Sequence, residues 1–317
     1  MNQLLILFIT LFSIQLYAIE EFVTYNFSGG RFGDNLLAYL HAKWFSFEHQ
    51  IPLLYRPFCY SSGLKLDDEE IPYASSFSFR YRTSIEKWPF APSFLPSIIY
   101  VCPYFPYNLR EDFSIEDAHK PTPYTVSFPI DWENPEFRRS VQNLIQPKSP
   151  LELTTPPREL ISIAIHIREG GGYDDDYTRR WAPFKLPPLE FYIEGLQTIL
   201  DLLPGKTPYC YLFTDAQSPE VLAQKIRDAL PGYSFTIDYR QTSNGPTSNV
   251  LEDFFSLFEF DILIHPLSNY SLVPALIHDY AITFRPVSVS RIPGKPIRIV
   301  ETKLTVNDPL YQKLIEK

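Results

Sequence analysis

Between Ile161 and Phe284 the chain switches repeatedly between two hydrophobic periods, and that alternation restricts its fold more than any other feature. Ile161, Ile163, Ile165 and Ile167 alternate with Ser162, Ala164, His166 and Arg168, the period of two that a strand imposes. Helical spacing follows over Leu189 to Leu202, a strand over Tyr209 to Thr214, and a helix over Ser218 to Leu230 with Ser218 as its cap. The same reading predicts a strand at Ser234 to Tyr239, a helix at Val250 to Phe258 and a strand at Asp261 to His265. A helix from Ser271 to His278 and a strand at Ala281 to Phe284 complete the series. Strands separated by helices of about ten residues need crossover connections, which means a parallel sheet covered by helices, a Rossmann-like half.

The amino-terminal half begins the same way. Phe22 to Tyr25 reads as a short strand that runs through Ser28-Gly29-Gly30-Arg31-Phe32-Gly33 into a helix, with Leu36, Leu37, Leu40 and Trp44 at helical spacing and Asp34 as the expected N-cap. That helix is expected to reach about Glu48, with a second strand at Leu53 to Tyr55. Pro57 to Pro129 carries no regular pattern beyond apolar fragments such as Ile98-Ile99-Tyr100-Val101, and 133 to 145 reads as helical. Gln146-Pro147-Lys148-Ser149-Pro150 through Pro156-Pro157 is the clearest linker in the chain. The expected architecture is α/β, two Rossmann-like domains facing a central cleft, 20–150 and 151–317.

Residues 1–19 stand apart. From Leu4 to Ile19 the chain is apolar except at Thr10, Ser13 and Gln15, and Ala18 offers a small residue for cleavage. The stretch is shorter than the roughly 20 residues of a membrane span, so it reads as a signal peptide or a short uncleaved anchor, which implies the secretory pathway and possible membrane association. No later segment is apolar for long enough to span a bilayer.

Charge and cysteine content narrow the function. Lys plus Arg total 28 against 37 Asp plus Glu, a net charge of −9, which argues against a nucleic-acid partner and makes any anion site local. Cys59, Cys102 and Cys210 allow at most one bridge, and the six histidines show no metal-ligand spacing, so no structural metal is expected.

In an open parallel sheet ligands bind beyond the carboxyl ends of the strands, and those ends are polar here. The first strand of the second half ends His166-Ile167-Arg168-Glu169 and enters Gly170 to Gly172; His166 and Arg168, two apart, share a face. A guanidinium offers a bidentate fork to phosphate and can stabilise a diphosphate leaving group, or it can brace loops against an Asp. Phe213-Thr214-Asp215 places a carboxylate where a ribose or the N1 and exocyclic amine of guanine could be held, or where the next helix needs a cap. Pro266-Leu267-Ser268-Asn269-Tyr270-Ser271 brings hydroxyls to a helix N-terminus, an anion-binding arrangement. Gly29 to Asn35 is a glycine turn feeding another helix N-terminus, from which Arg31 could reach a phosphate across the cleft. Asp174-Asp175-Asp176 contains a D-x-D spacing that could hold a divalent ion on a nucleotide diphosphate, or it is solvated loop charge beside Arg179-Arg180. The sequons Asn26-Phe27-Ser28 and Asn269-Tyr270-Ser271 both fall in the expected cleft loops, which disfavours glycosylation there.

Taken in order, Gly30-Arg31-Phe32-Gly33-Asp34-Asn35, His166-Ile167-Arg168, Phe213-Thr214-Asp215 and Ser268-Asn269-Tyr270-Ser271 resemble the GDP-fucose-dependent fucosyltransferases of the α1,2/α1,6 and protein O-fucosyltransferase superfamily. The resemblance covers four short islands and implies a GT-B fold, inverting transfer of fucose from GDP-fucose to a hydroxyl of a glycan or glycoprotein, and no metal or other cofactor. By position, Arg168 would stabilise the departing β-phosphate with His166 in support, Asp215 would lie near the guanosine, and Ser268 to Ser271 would cradle the nucleotide. Gly30, Arg31, Gly33 and Asn35 would face the donor from the other half. Two positions depart from the family pattern: Glu169 stands where a second Arg is common, and Asp34-Asn35 where Asn-Gln is usual. Inverting transfer benefits from a general base, for which Asp34, Glu169 and Asp174 are all chemically suited. Two other readings stay open, a metal-dependent transferase using Asp174 and Asp176 and a non-catalytic glycan-binding protein on a decayed transferase fold.

Overall fold

A strand buried along its entire length on both faces can only be interior to a covered sheet, and β7 (Ser162–Ile167) is such a strand. A computed structural model describes residues 20–27, 29–89, 97–103, 114–117, 129–169, 184–291 and 298–317. Around β7 the second half builds a sheet from β8 (Tyr209–Thr214), β9 (Thr236–Tyr239), β10 (Ile262–Ile264), β11 (Ile282–Arg291) and β12 (Arg298–Val306). Their spatial order is β12-β11-β10-β7-β8-β9, with β7 through β11 running parallel. Counted from β7 this is order 3-2-1-4-5-6, and the chain reverses its direction of travel between β7 and β10, a topological switch point. The crossovers include α3 (Leu189–Asp201) and α4 (Pro219–Ala229), then α5 (Val250–Ser256) and α6 (Asn269–Ile277).

The first half is a parallel sheet of β1 (Glu20–Tyr25), β5 (Ser97–Cys102) and β4 (Tyr81–Ser84), with β5 central. A two-stranded parallel pair, β2 (Leu54–Tyr55) and β3 (Ile71–Pro72), adjoins β1 through a Val23–Leu53 bridge. Helix α1 (Phe32–His49) buries 12 of its 18 residues, too many for a helix with one covered face. It packs on β1 on one side and on α6 of the other half on the other. One apolar core accordingly holds Leu36 and Leu40 from α1, Phe137 from α2 (Pro135–Leu144), Phe254 from α5, and Leu272, Val273 and Ile277 from α6. A second core under the large sheet joins Ile163, Ile165, Leu196, Leu212, Ile226 and Ile264. β6 (Ser114–Asp117), from the first half by sequence, pairs with the distal part of β11.

Several expectations are corrected. Asp34 is not the N-cap of α1: the helix starts at Phe32 with Arg31 before it, so Asp34 lies within the first turn, where its charge still complements the helix dipole. Ser218 does stand at the N-cap of α4, as expected, though its side chain makes no cap bond. The last strand runs ten residues, through a register shift at Pro286, and is followed by antiparallel β12 and by α7 (Asp308–Ile315). A rule built on alternating strands and crossover helices cannot foresee an antiparallel neighbour, which needs no crossover. All three cysteines are free, Cys59 exposed and the other two buried.

Candidate functional site

The switch point puts the carboxyl ends of β7 and β10 side by side, so whatever follows each strand shares one crevice. His166 is the penultimate residue of β7 and Arg168 follows the strand; after β10 the chain turns through Leu267, whose N–H donates to the Phe184 carbonyl at 2.7 Å, and starts α6 at Asn269. His166 is 8% exposed, and its Nδ1 lies 2.7 Å from the Ser271 hydroxyl on α6. The same hydroxyl is 3.4 Å from the Ser268 carbonyl, a far weaker acceptor at that distance. Burial, reinforced by the Arg168 charge, pushes the His166 pKa down to about 3, so the ring is neutral.

The opposite wall comes from the glycine turn. Gly29 has φ +77, a left-handed conformation open to glycine, and it bends the chain from β1 into α1. At Gly33 the two helix N-termini touch: a Cβ there would stand 2.5 Å from the Tyr270 nitrogen and 2.7 Å from its Cα. That contact sets Asp34 against α6, where its carboxylate accepts a hydrogen bond from the Asn269 amide. Asn35 turns back and donates to the Gly30 carbonyl at 3.0 Å, bracing the turn.

The resulting cleft, about 1210 Å³ including its open mouth, is lined on one side by Gly30, Arg31, Gly33 and Asp34 and on the other by His166, Arg168, Asp215, Ser268 and Asn269. Nine of the sequence-predicted residues therefore meet in one place. Three do not line it. Asn35 braces the glycine turn, Ser271 is fully buried behind His166, and Glu169 is held by its backbone N–H, which donates to the Asp215 carboxylate at 2.7 Å. Asp215 is thus a brace of the β7 loop as well as a wall of the cleft. Asp174 and Asp176 lie outside the described residues, and among those described no group of His, Cys, Asp and Glu could hold a metal ion. With Asn269 buried and Ser271 fully enclosed, the second sequon is closed to glycosylation in the folded chain.

Sequence reasoning missed several parts of the lining, Cys59 and Tyr60 of the first half among them. Lys185 stands in the cleft with Arg168 and Asp34; burial pushes its pKa down, Asp34 opposes that, and Arg168 adds to it. The connection 244–248 before α5 lines the far end, and Thr247 there accepts a hydrogen bond from the Tyr60 hydroxyl of the first half at 3.0 Å. Asp253 on α5 lines the same end; burial raises its pKa to about 6, against the pull of its ion-pair partner Arg240. Only Lys185 had a readable signal, a lone cation between the apolar Phe184 and Leu186.

The buried histidines give a pH prediction. His166 and His41 have folded pKa values of about 3 and about 4, below the ordinary 6.5, so between those values the unfolded chain binds more protons than the folded one. Stability is therefore full above pH ~6.5 and lost on acidification, by ~2 kcal/mol per histidine at pH ~5. Thermal melts across that range should show the fall, and His166 ring-nitrogen NMR shifts should stay those of the neutral form; an imidazolium signal for His166 at pH ~5 would refute the assignment.

Neither a protein-family model nor a curated protein matches the sequence. Similar solved structures include POFUT1 in complex with GDP-fucose, at 12% identity over 83% of this chain and 95% of that one, TM-score 0.42. They also include the fucosyltransferase NodZ from Bradyrhizobium, at 12% identity over 91% of this chain and 99% of that one, TM-score 0.45. Arabidopsis thaliana FUT1 in complex with GDP matches at 12% identity over 87% of this chain and 71% of that one, TM-score 0.44. At such values the likeness is one of outline, and the chemistry rests on the residues of the cleft itself.

Proposed function

We propose that this chain is an inverting glycosyltransferase that moves fucose from GDP-fucose to a hydroxyl of a glycan or glycoprotein. The observation that carries the reading is the convergence, in one cleft at the switch point, of Arg168, a neutral His166 and the N-terminus of α6 with the glycine turn of the other half. Each group suits one part of such a donor. Arg168 takes the charge that develops on the departing β-phosphate, while helix N–H groups near Ser268 and Asn269 suit the phosphate oxygens. The carboxylates of Asp215 and Asp253 suit the adjacent donors of guanine. Of the three candidate bases Asp34 is favoured, because it lines the cleft among the described residues and Glu169 does not. In the transfer the acceptor oxygen attacks the anomeric carbon, its proton passes to Asp34, and the carbon–oxygen bond to the β-phosphate breaks with its electron pair leaving on GDP.

The apolar segment at 1–19 supports a place in the secretory pathway, lumenal or membrane-associated, where a sugar nucleotide is supplied. The deciding test is calorimetric titration of the protein lacking residues 1–19 with GDP, UDP and GDP-fucose, first without metal and then with Mn²⁺. Selective, metal-independent binding of GDP is the expected result. Binding that requires Mn²⁺ would favour a transferase using Asp174 and Asp176, and glycan binding with no nucleotide binding would favour the non-catalytic module.

A further inference from the structure

We propose that Lys185 is a second cation of the phosphate site, touching the departing diphosphate together with Arg168. The inference rests on reading the cleft as a GDP-sugar site. A diphosphate arrives with at least two negative charges and gains more as the sugar leaves, so a single guanidinium leaves much of that charge uncompensated. The residue after Arg168 adds an acid, Glu169, rather than another base. The further positive charge must then come from elsewhere in the fold, and among the described residues lining the cleft the other cations are Arg31 and Lys185.

Lys185 is the better placed. It lines the cleft close enough to Arg168 to feel its charge, and its backbone is pinned on both sides: Phe184 and Leu186 are buried, and the Phe184 carbonyl is tied to Leu267 just before α6. Lys185 is half-buried beside the Arg168 guanidinium, which opposes its charge, while Asp34 favours it. A bound diphosphate would bring negative charge to the two cations together. The ammonium keeps its protons throughout; its part is to stabilise the oxygen on which the electron pair of the breaking bond arrives.

The simpler alternative is that Lys185 serves only as the charge partner of Asp34, and two comparisons separate the roles. In calorimetry, Lys185→Met should bind GDP about tenfold more weakly and GMP nearly as wild type, because the loss belongs to the β-phosphate; Lys185→Arg should restore part of the GDP affinity. In an Asp34→Asn background the same loss should persist, whereas a mere partner of Asp34 would have no further effect. Lys185→Gln, chosen for solubility, repeats the test if the Met variant fails to fold. Unchanged GDP affinity in the folded variants, with wild type binding GDP, overturns the role of Lys185 alone; a wild type that binds no GDP overturns the donor reading and this proposal with it.

Discussion

Replacing Arg168 with Ala should lower fucosyl transfer by about 10³-fold while leaving the fold in place. The effect should be large because of where the residue stands. Arg168 follows the last residue of β7, beyond the hydrogen-bonded ladder, so its side chain belongs to the cleft and not to the apolar core, which Ile163, Ile165 and Ile167 fill. For the same reason the change in stability should stay below ~1 kcal/mol. Lys at this position should recover only part of the rate, since an ammonium keeps the charge but loses the planar fork that grips two phosphate oxygens at once. Initial rates with GDP-fucose, alongside thermal melts, measure both quantities. Wild-type turnover in a folded Arg168→Ala protein would remove the residue from the mechanism and with it the reading of the cleft.

What the sequence disclosed of this site, and what it hid, follows from the range of the forces involved. His166 and Arg168 were legible because period-two alternation is local: Ile163, Ile165 and Ile167 must face the core, so the residues at the end of their strand have to serve something else. The order of strands and helices from β7 to β11 was legible for the same reason. The partner of His166 was not, because Ser271 lies 105 residues away and meets it only once β10 is seated beside β7. Asp253 carries nothing in its local sequence to mark it; only the fold pairs this first-turn acid of α5 with Arg240 and brings it into the lining of the cleft. The cap assigned to Asp34 failed because local propensity favours Asp before a helix, whereas the close approach of α1 to α6 requires Gly33 to lie inside the helix and draws Asp34 with it. Antiparallel β12, exposed along one side at the sheet edge, carried too weak an apolar pattern to be read at all.

That close approach gives the other large expected effect. Gly33→Ala puts the best helix former into the first turn of α1, which on propensity alone would stabilise by up to ~1 kcal/mol. Here the sign should reverse. The new methyl would sit 2.5 Å from the Tyr270 nitrogen, 2.7 Å from its Cα and 2.8 Å from the Asn269 carbonyl carbon, all backbone atoms of a packed helix that cannot rotate away as a side chain can. Helix α1 or α6 must move by something near 1 Å, and overpacking of this kind costs about 1–3 kcal/mol. The same displacement separates Asp34 from Asn269 and carries Arg31 away from the opposite wall, so activity should fall about 100-fold even in the folded fraction. Gly232→Ala is the matched control, because nothing lies within 4 Å of its added Cβ; it should leave both melting and turnover near wild type. If Gly33→Ala instead melts higher and turns over normally, the touching of the two helix N-termini is not what holds the halves of the cleft in register, and Asp34 loses its claim to the base.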